Sequence, residues 1–435
     1  MLVWGKKFIM ASHARLFGYD MSIYMRQFLK QLSFSFVGLT SANAILFGTL
    51  LLVGRLLGPK QFGLFALALA VSQLLIIPML LGMDVAVMRS VAINIKHLTT
   101  KRRMVSSGFL VMASATVLVS MLVFAGAGTL SAIFDIDSGV LRAATALALA
   151  LAFRMFFDGV IRGEGKFRFQ AEARTFEAVI ILLGFVIMYW LSGGGYALFV
   201  VATMAGAVVI ILSYITAGGA GRLIGWQYWQ GEVALDLWRY IRFGMVGAVA
   251  GLLLVGGDKF LIERMLGQAS LGVYAAYYYV SVQVAAQLSY VFINVFFPMV
   301  SRHEDKLAVL KKLERLIGVG FIPAVLLTII GGAISLRLLG GAYMFSWRLI
   351  LCMSVYAMLF FVWQTYWWFI ASTGAKGVRF IGLNGLVAGT VYLISIYWLV
   401  GRFGIFAPAM SFFIAFVYLG GVISWWKKRF THTIC

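Results

Sequence analysis

Long apolar runs alternate with short polar stretches along almost the whole chain. Each run reaches about 20 residues, enough for a helix to cross a ~30 Å hydrocarbon core. The ~10-residue two-faced segments of a membrane β-barrel are not evident. The pattern predicts twelve membrane helices, at about 35–55, 62–83, 104–130, 139–160, 174–191, 196–216, 240–262, 272–298, 316–337, 346–371, 378–400 and 405–426. The expected fold is therefore all-α, with about 12 transmembrane helices.

The polar connections alternate in character. MRSVAINIKHLTTKRR (88–103), IRGEGKFRFQAEAR (161–174), segment 217–239, SRHEDKLAVLKKLER (301–315), TGAKGVR (373–379) and the WKKRF tail are basic. The intervening ones, such as LLGPKQ, SAIFDIDS, SGGG and LLGGAYMF, are short and poor in Lys and Arg. Basic loops face the cytoplasm, so both termini are expected there, as an even number of crossings requires.

Composition sharpens this reading. Hydrophobic residues make up 62% of the chain and charged residues 12%, against roughly half and a quarter in soluble domains. The net charge of +21 lies in short loops, where it reports topology and anionic headgroups rather than nucleic acid. Two cysteines, Cys352 and Cys435, set up no disulfide framework, metal site or redox motif. The mixed, basic first thirty residues carry no signal-peptide pattern; Met1, Met21 and Met25 all remain available as the start.

One motif occurs twice. RLLGPKQFGLFALALAVS begins at Arg55 and RMLGQASLGVYAAYYYVS at Arg264, 209 residues later. Arg55, Gly58, Gly63 and Ser72 align with Arg264, Gly267, Gly272 and Ser281, and upstream Val37-Gly38 with Val246-Gly247. A weaker match at offset 211 joins Gly163, Arg168 and Phe169 to Gly374, Arg379 and Phe380. Both imply two six-helix lobes related by a parallel internal repeat, an arrangement that places substrate between the halves. The expected domains are a cytoplasmic segment 1–34, an N-lobe 35–216, a linker 217–239, a C-lobe 240–426 and a tail 427–435. The motif itself reads as a tight helical hairpin: a snorkelling arginine, a glycine turn, and a glycine where backbones pass closely.

LLGPKQFGLFALALA followed by LGMDVAVMRSVA resembles the N-terminal signature of Wzx-type polysaccharide (O-antigen and exopolysaccharide) flippases. These belong to the multidrug/oligosaccharidyl-lipid/polysaccharide exporter superfamily. GDKFLIERMLGQASLGVYAAYYYVSV, leading into VFINVFFPMVSR, is similar to the region that opens their second half. The resemblance implies a V-shaped pair of lobes in the bacterial inner membrane. It implies flipping of undecaprenyl-diphosphate-linked oligosaccharide repeat units from inner to outer leaflet, by alternating access coupled to H+ or Na+ and without a cofactor. It further implies membrane lipids, a polysaccharide polymerase and chain-length proteins as partners. The long N-terminal lead departs from the pattern, and the span count disfavours the fourteen-helix branch that handles peptidoglycan precursors.

A lipid diphosphate needs cations in a wet cavity, and ionisable residues within spans are functional candidates by default. Arg154 and Asp158 share a helix face, with Arg162 one turn on; they read either as a cavity cation with its carboxylate or as a snorkelling internal pair. Lys259 reads as a cavity cation or as the partner of Glu263, four residues on. Asp84, on the face of Gln73, and Asp258 are candidates for ion coupling. Glu177 reads as a local partner of Arg174. Gln283, Gln287, Tyr290 and Asn294 form one polar stripe that must face water or another helix. Trp363 shares a face with Tyr356 and Trp367, for sugar stacking or for an aromatic belt. Pro78, Pro323 and Pro408 mark possible kinks. No catalytic or metal-ligating constellation is read: the loops are too short to build an enzyme site, so a polymerase or glycosyltransferase is disfavoured. The alternative function is a cation-coupled small-molecule or drug antiporter of the same superfamily.

Overall fold

The computed structural model describes residues 23–94, 96–290 and 306–434. It is all-helical among them. Helix α1 (Ile23–Leu80) is two helices, 23–57 and 59–80, hinged at Gly58. There follow α2 (Met83–Ile93), α3 (Leu98–Ala125), α4 (Ala127–Phe134), α5 (Ser138–Gly163), α6 (Phe167–Ser192) and α7 (Tyr196–Ile215). The second half holds α8 (Gly231–Val255), α9 (Gly257–Leu266) and α10 (Gln268–Tyr278), the last continuing through a π-helical turn (Tyr279–Gln283) into 284–290. It closes with α11 (Lys306–Leu339), α12 (Trp347–Ala371), α13 (Ala375–Phe403) and α14 (Ala407–Ile434).

Nine stretches among the described residues are long and apolar enough to cross a membrane. Two of these, Thr40–Leu80 and Lys376–Arg429, each contain a pair of helices. The π-interrupted helix from Gln268 ends at the edge of the described region. The arrangement agrees with twelve crossings in a multi-pass membrane protein. Packing falls into two groups, α1 to α7 and α8 to α14, joined where α10 packs chiefly on α1 and where α8 meets α2 and α3.

Three sequence expectations change. The basic connection 88–103 is partly helical, because α2 runs to Ile93. Asp84 belongs to α2, and Leu81 and Gly82, at φ 51° and 70°, break the chain before it; it therefore shares no continuous helix face with Gln73. Pro408 is the second residue of α14 and starts that helix rather than kinking it. Segment 217–239 is pinned to α3. Ser106 donates to the Leu223 carbonyl (3.1 Å), Ser107 to that of Gln230 (3.2 Å), and Arg102 to the Tyr228 hydroxyl (3.0 Å).

The twin motifs adopt the same turn. Gly58 has φ 71°, ψ 172° and Gly267 has φ 81°, ψ 172°, a region that only glycine enters without strain. In the first copy Pro59 follows as the opening residue of a helix, where its missing N–H costs nothing. The weaker repeat shifts register. Gly163 is helical, and the positive-φ residue is Gly165 (73°), which lies 209 residues before Gly374 (105°).

The two hairpins also touch each other. A Cβ on Gly63 would overlap the Gln268 carbonyl oxygen, and one on Gly272 would overlap that of Pro59. The second helix of each lobe thus crosses the other at equivalent glycines, with backbones in contact. Phe62 packs edge-on against Tyr279 (5.7 Å between centroids) and Tyr343 (6.2 Å). The buried Tyr343 hydroxyl donates to the Gly54 carbonyl at 2.7 Å. At this end of the bundle the lobes are closed on one another.

Gly63→Val or Gly272→Val should therefore lower the melting temperature of the detergent-solubilised protein, by an overpacking cost of about 1–3 kcal/mol. Gly48→Ala and Gly320→Ala meet no neighbour within 4 Å and should be neutral or slightly stabilising. Equal effects at all four positions would show that the crossing is not close-packed.

Candidate functional site

Two buried ionic clusters stand out, one in each half. In the first, α5 supplies Arg154 and Asp158. Helix α6 supplies Gln170, Arg174 and Glu177 at the i, i+4, i+7 spacing of a single face. Tyr214 joins from the end of α7. Glu177 bridges the two arginines: its Oε1 accepts from Arg154 Nη1 at 2.9 Å and its Oε2 from Arg174 Nη1 at 3.0 Å. Arg174 Nη2 lies 3.5 Å from Asp158 Oδ2. The other oxygen, Oδ1, accepts from Gln170 Nε2 (2.9 Å) and the Tyr214 hydroxyl (2.8 Å).

This corrects the pairing expected from spacing. Arg154 and Asp158 are one turn apart, yet Arg154 bonds to Glu177 and Asp158 to residues of α6 and α7. Each Asp158 oxygen is already engaged by those groups, whereas Glu177 offers an oxygen to each arginine. The Arg174–Glu177 pair does form, as part of this network rather than alone. Charges alternate through it and sum to zero, as burial demands. Two donors stay without an acceptor: Arg154 Nε and Arg174 Nε, both buried. Sequence reasoning missed Gln170 and Tyr214. The 170/174/177 stripe was a signal for the first; Tyr214 carries none.

The second cluster sits at a broken helix. The chain leaves α-geometry at Gly256 (φ −124°, ψ −30°), between α8 and α9. Lys259 N turns to the Gly256 carbonyl (3.2 Å) and to Asp258 Oδ1 (3.0 Å). In an unbroken helix it would have bonded Val255 O. That freed carbonyl accepts from Lys259 Nζ at 2.8 Å and from the Tyr278 hydroxyl at 3.4 Å. Lys259 Nζ also lies 3.3 Å from Asp258 Oδ1 and 3.9 Å from the centre of the Tyr278 ring. Asp258, 0% exposed, accepts from the Tyr274 hydroxyl and, at 3.5 Å, from that of Tyr392. The hydroxyls of Tyr392 and Tyr356 are 3.3 Å apart. The expected Lys259–Glu263 pair is replaced by Lys259–Asp258, because the helix break brings the carbonyl and carboxylate within reach of the ammonium.

The remaining candidates are spread out. Gln283 lies in the π turn and is half-buried. Gln287 accepts from Asn43 Nδ2 across the lobes at 3.4 Å. Tyr290 is 47% exposed, so the stripe meets protein on one side and open space on the other; Asn294 lies outside the described residues. Trp363 is buried between Phe360 and Trp367 (centroids 5.4 and 5.1 Å), its indole N–H without an acceptor. It is packed core here, not an open stacking platform. Asp84 is half-buried, and its backbone passes so close to α5 that a Cβ on Gly159 would lie 2.5 Å from its carbonyl oxygen. Among the described residues, no group of three or more His, Cys, Asp and Glu side chains is placed to hold a metal ion.

Solved structures share this architecture. An inward-facing multidrug resistance transporter of the MATE family, in the MOP superfamily, superposes with a TM-score of 0.72 at 14% identity, over 90% of this chain and 94% of that one. An outward-facing MATE transporter gives 0.62 at 13% identity, over 93% and 96%. A MOP superfamily transporter from Pyrococcus furiosus, described as having a binding pocket of reversed polarity, gives 0.55 at 15% identity, over 92% and 94%. These likenesses show a membrane-transporter fold. No curated protein matches the chain. The sequence model of the polysaccharide biosynthesis protein family matches residues 28–304, which is more than half of the chain, and the chain belongs to that family.

Proposed function

We propose that the protein moves oligosaccharide repeat units, linked to a polyprenyl diphosphate such as undecaprenyl diphosphate, from the inner to the outer leaflet of a bacterial inner membrane. The observation that carries this reading is the pair of intramembrane arginines, Arg154 and Arg174, in a chain of the polysaccharide biosynthesis family. Guanidinium groups are the side chains best suited to phosphate oxygens. Each of these two keeps an Nε–H without an acceptor, while Arg154 Nη1 and both Nη groups of Arg174 are held by carboxylates. A diphosphate arriving from the open end would supply that acceptor and compete with Glu177 and Asp158 for the arginines. Charge compensation would thereby pass from protein to substrate.

In this reading the two halves are copies of one six-helix unit, with both termini in the cytoplasm. The identical turns at Gly58 and Gly267 support the duplication. The hairpin end is then the outer end, closed in this state, and the substrate path opens inward between the lobes. The higher TM-score to the inward-facing than to the outward-facing transporter accords with that. The Gln283–Asn294 stripe lines the path. Asp84 is the coupling carboxylate, since Asp258 is already committed to Lys259 and Tyr274. The chain acts as a carrier, not an enzyme, and has no cofactor; a polysaccharide polymerase and chain-length proteins are its expected partners.

A second reading, a cation-coupled drug antiporter, is favoured by the multidrug transporters that share the fold. Reconstitution separates the two. The flippase reading expects proteoliposomes to translocate a lipid-diphosphate oligosaccharide and not a cationic dye. Arg154→Gln with Arg174→Gln should slow that flipping by ~10- to 100-fold, the equivalent of a net loss of one charge-assisted hydrogen bond at about 1.5–3 kcal/mol. Dye transport without lipid flipping would favour the antiporter, and unchanged flipping in the double variant would remove the arginines from the mechanism.

The network also makes a stability prediction. Glu177→Gln strands the Arg154 guanidinium, while Arg174 keeps Asp158, and should cost about 3–5 kcal/mol. Adding Arg154→Gln should recover part of that loss. A double-mutant cycle in thermal unfolding reads the coupling, and additive losses would show that the two residues do not interact.

A further inference from the structure

The second ionic cluster has the composition of a monovalent-cation site. It offers a backbone carbonyl released by a helix break, a buried carboxylate oxygen and a ring face, all directed to one place, with tyrosine hydroxyls holding the carboxylate's other oxygen. In this protein that place is filled by the protein's own ammonium. Lys259 Nζ touches the Val255 carbonyl (2.8 Å), Asp258 Oδ1 (3.3 Å) and the Tyr278 ring (3.9 Å). The remaining Asp258 oxygen is taken by Tyr274 and Tyr392. We propose that this is a cation site with a tethered occupant: Lys259 supplies the counter-cation that a free sodium, potassium or ammonium ion would otherwise provide, and the C-lobe needs no external ion here.

Three physical points carry the inference. First, Val255 O is available because Gly256 breaks the helix; transport proteins build ion sites from such unwound carbonyls. Second, the ammonium is enclosed: Lys259 is 5% exposed and Asp258 0%, so the ion pair is shielded from water and salt. An ammonium close over an aromatic face gains a cation–π attraction that strengthens with desolvation. Third, the lysine bends back by one turn to reach the carbonyl of residue 255 instead of extending toward the membrane surface, as snorkelling lysines do. The π turn at Tyr279–Gln283 follows Tyr278 directly, and such turns are frequent at functional sites.

The inference stands apart from the transported substrate and is tested without transport. Melting temperatures of the full-length protein in detergent would be compared in sodium, potassium, ammonium and choline chloride at equal ionic strength. The wild type should melt at one temperature in all four. Lys259→Ala should melt several degrees lower in choline, which is too large to enter, and recover with rising concentration of at least one small cation. The charge-neutral pair Asp258→Asn/Lys259→Met should show no cation response. A wild-type melting temperature raised by sodium over choline, with the rise abolished by Asp258→Asn, would overturn the proposal, since the site would then take a free ion with the lysine present. A Lys259→Ala protein that no small cation stabilises, while the neutral pair folds, would overturn it equally.

Discussion

A guanidinium or carboxylate carried into the space between membrane helices costs several kcal/mol unless an opposite charge and enough hydrogen bonds meet it there. That constraint orders both halves of this molecule. In the first half it ties α5, α6 and α7 together: Glu177 needs Arg154 and Arg174, Arg174 needs Asp158, and Asp158 needs Gln170 and Tyr214. No member can leave without stranding another, so the register of three helices is fixed by polar contacts that leucine packing alone would not specify. In the second half the same constraint is met within a single broken helix and the tyrosines packed on it.

The breaks in the helices follow from a related rule. A backbone carbonyl in a dry environment must find a donor. At Gly256 the carbonyl of Val255 loses its helical partner and finds the Lys259 ammonium and the Tyr278 hydroxyl. The break and the buried charges therefore solve each other's problem: the freed acceptor needs a donor, and the lysine needs an acceptor beyond Asp258. At Gly58 and Gly267 the chain turns instead at the ends of spans, where two tight hairpins begin.

Much of the architecture was legible because hydrophobic run length is a strong signal and glycine marks turns that other residues resist. The hairpins at Gly58 and Gly267 were read from the chain alone. So was the ionic character of Arg154, Asp158, Asp258 and Lys259. What sequence could not give was who pairs with whom. The i, i+4 rule assigned Arg154 to Asp158 and Lys259 to Glu263, because it sees one helix at a time; tertiary neighbours decided otherwise. The rule also assumes an unbroken helix, and Gly256 removes that assumption just where it was applied. Trp363 stayed open to sugar stacking or to an aromatic belt because periodicity shows that residues share a face but not what covers that face; Phe360 and Trp367 pack on it here. The offset of 211 at Gly163 failed for another reason: a helical glycine and a turn glycine are the same letter.

The distribution of charge also bears on how the halves can move. Each ionic cluster is complete within its own lobe. The contacts that cross between lobes include others of a different kind: α8 against α2 and α3, glycine backbones passing at 63 and 272, the Phe62 ring against Tyr279 and Tyr343, and the hydrogen bonds Tyr343 to Gly54 and Asn43 to Gln287. Parting the lobes at the hairpin end separates α10 from α1 and frees the neutral Tyr343–Gly54 hydrogen bond, worth about 1 kcal/mol. It strands no charge. Had Arg154 paired with a carboxylate of the opposite lobe, separation would have carried the several-kcal/mol penalty of an unpaired intramembrane ion. Because both clusters keep their ion pairs inside one lobe, that penalty does not arise from either of them when the lobes separate.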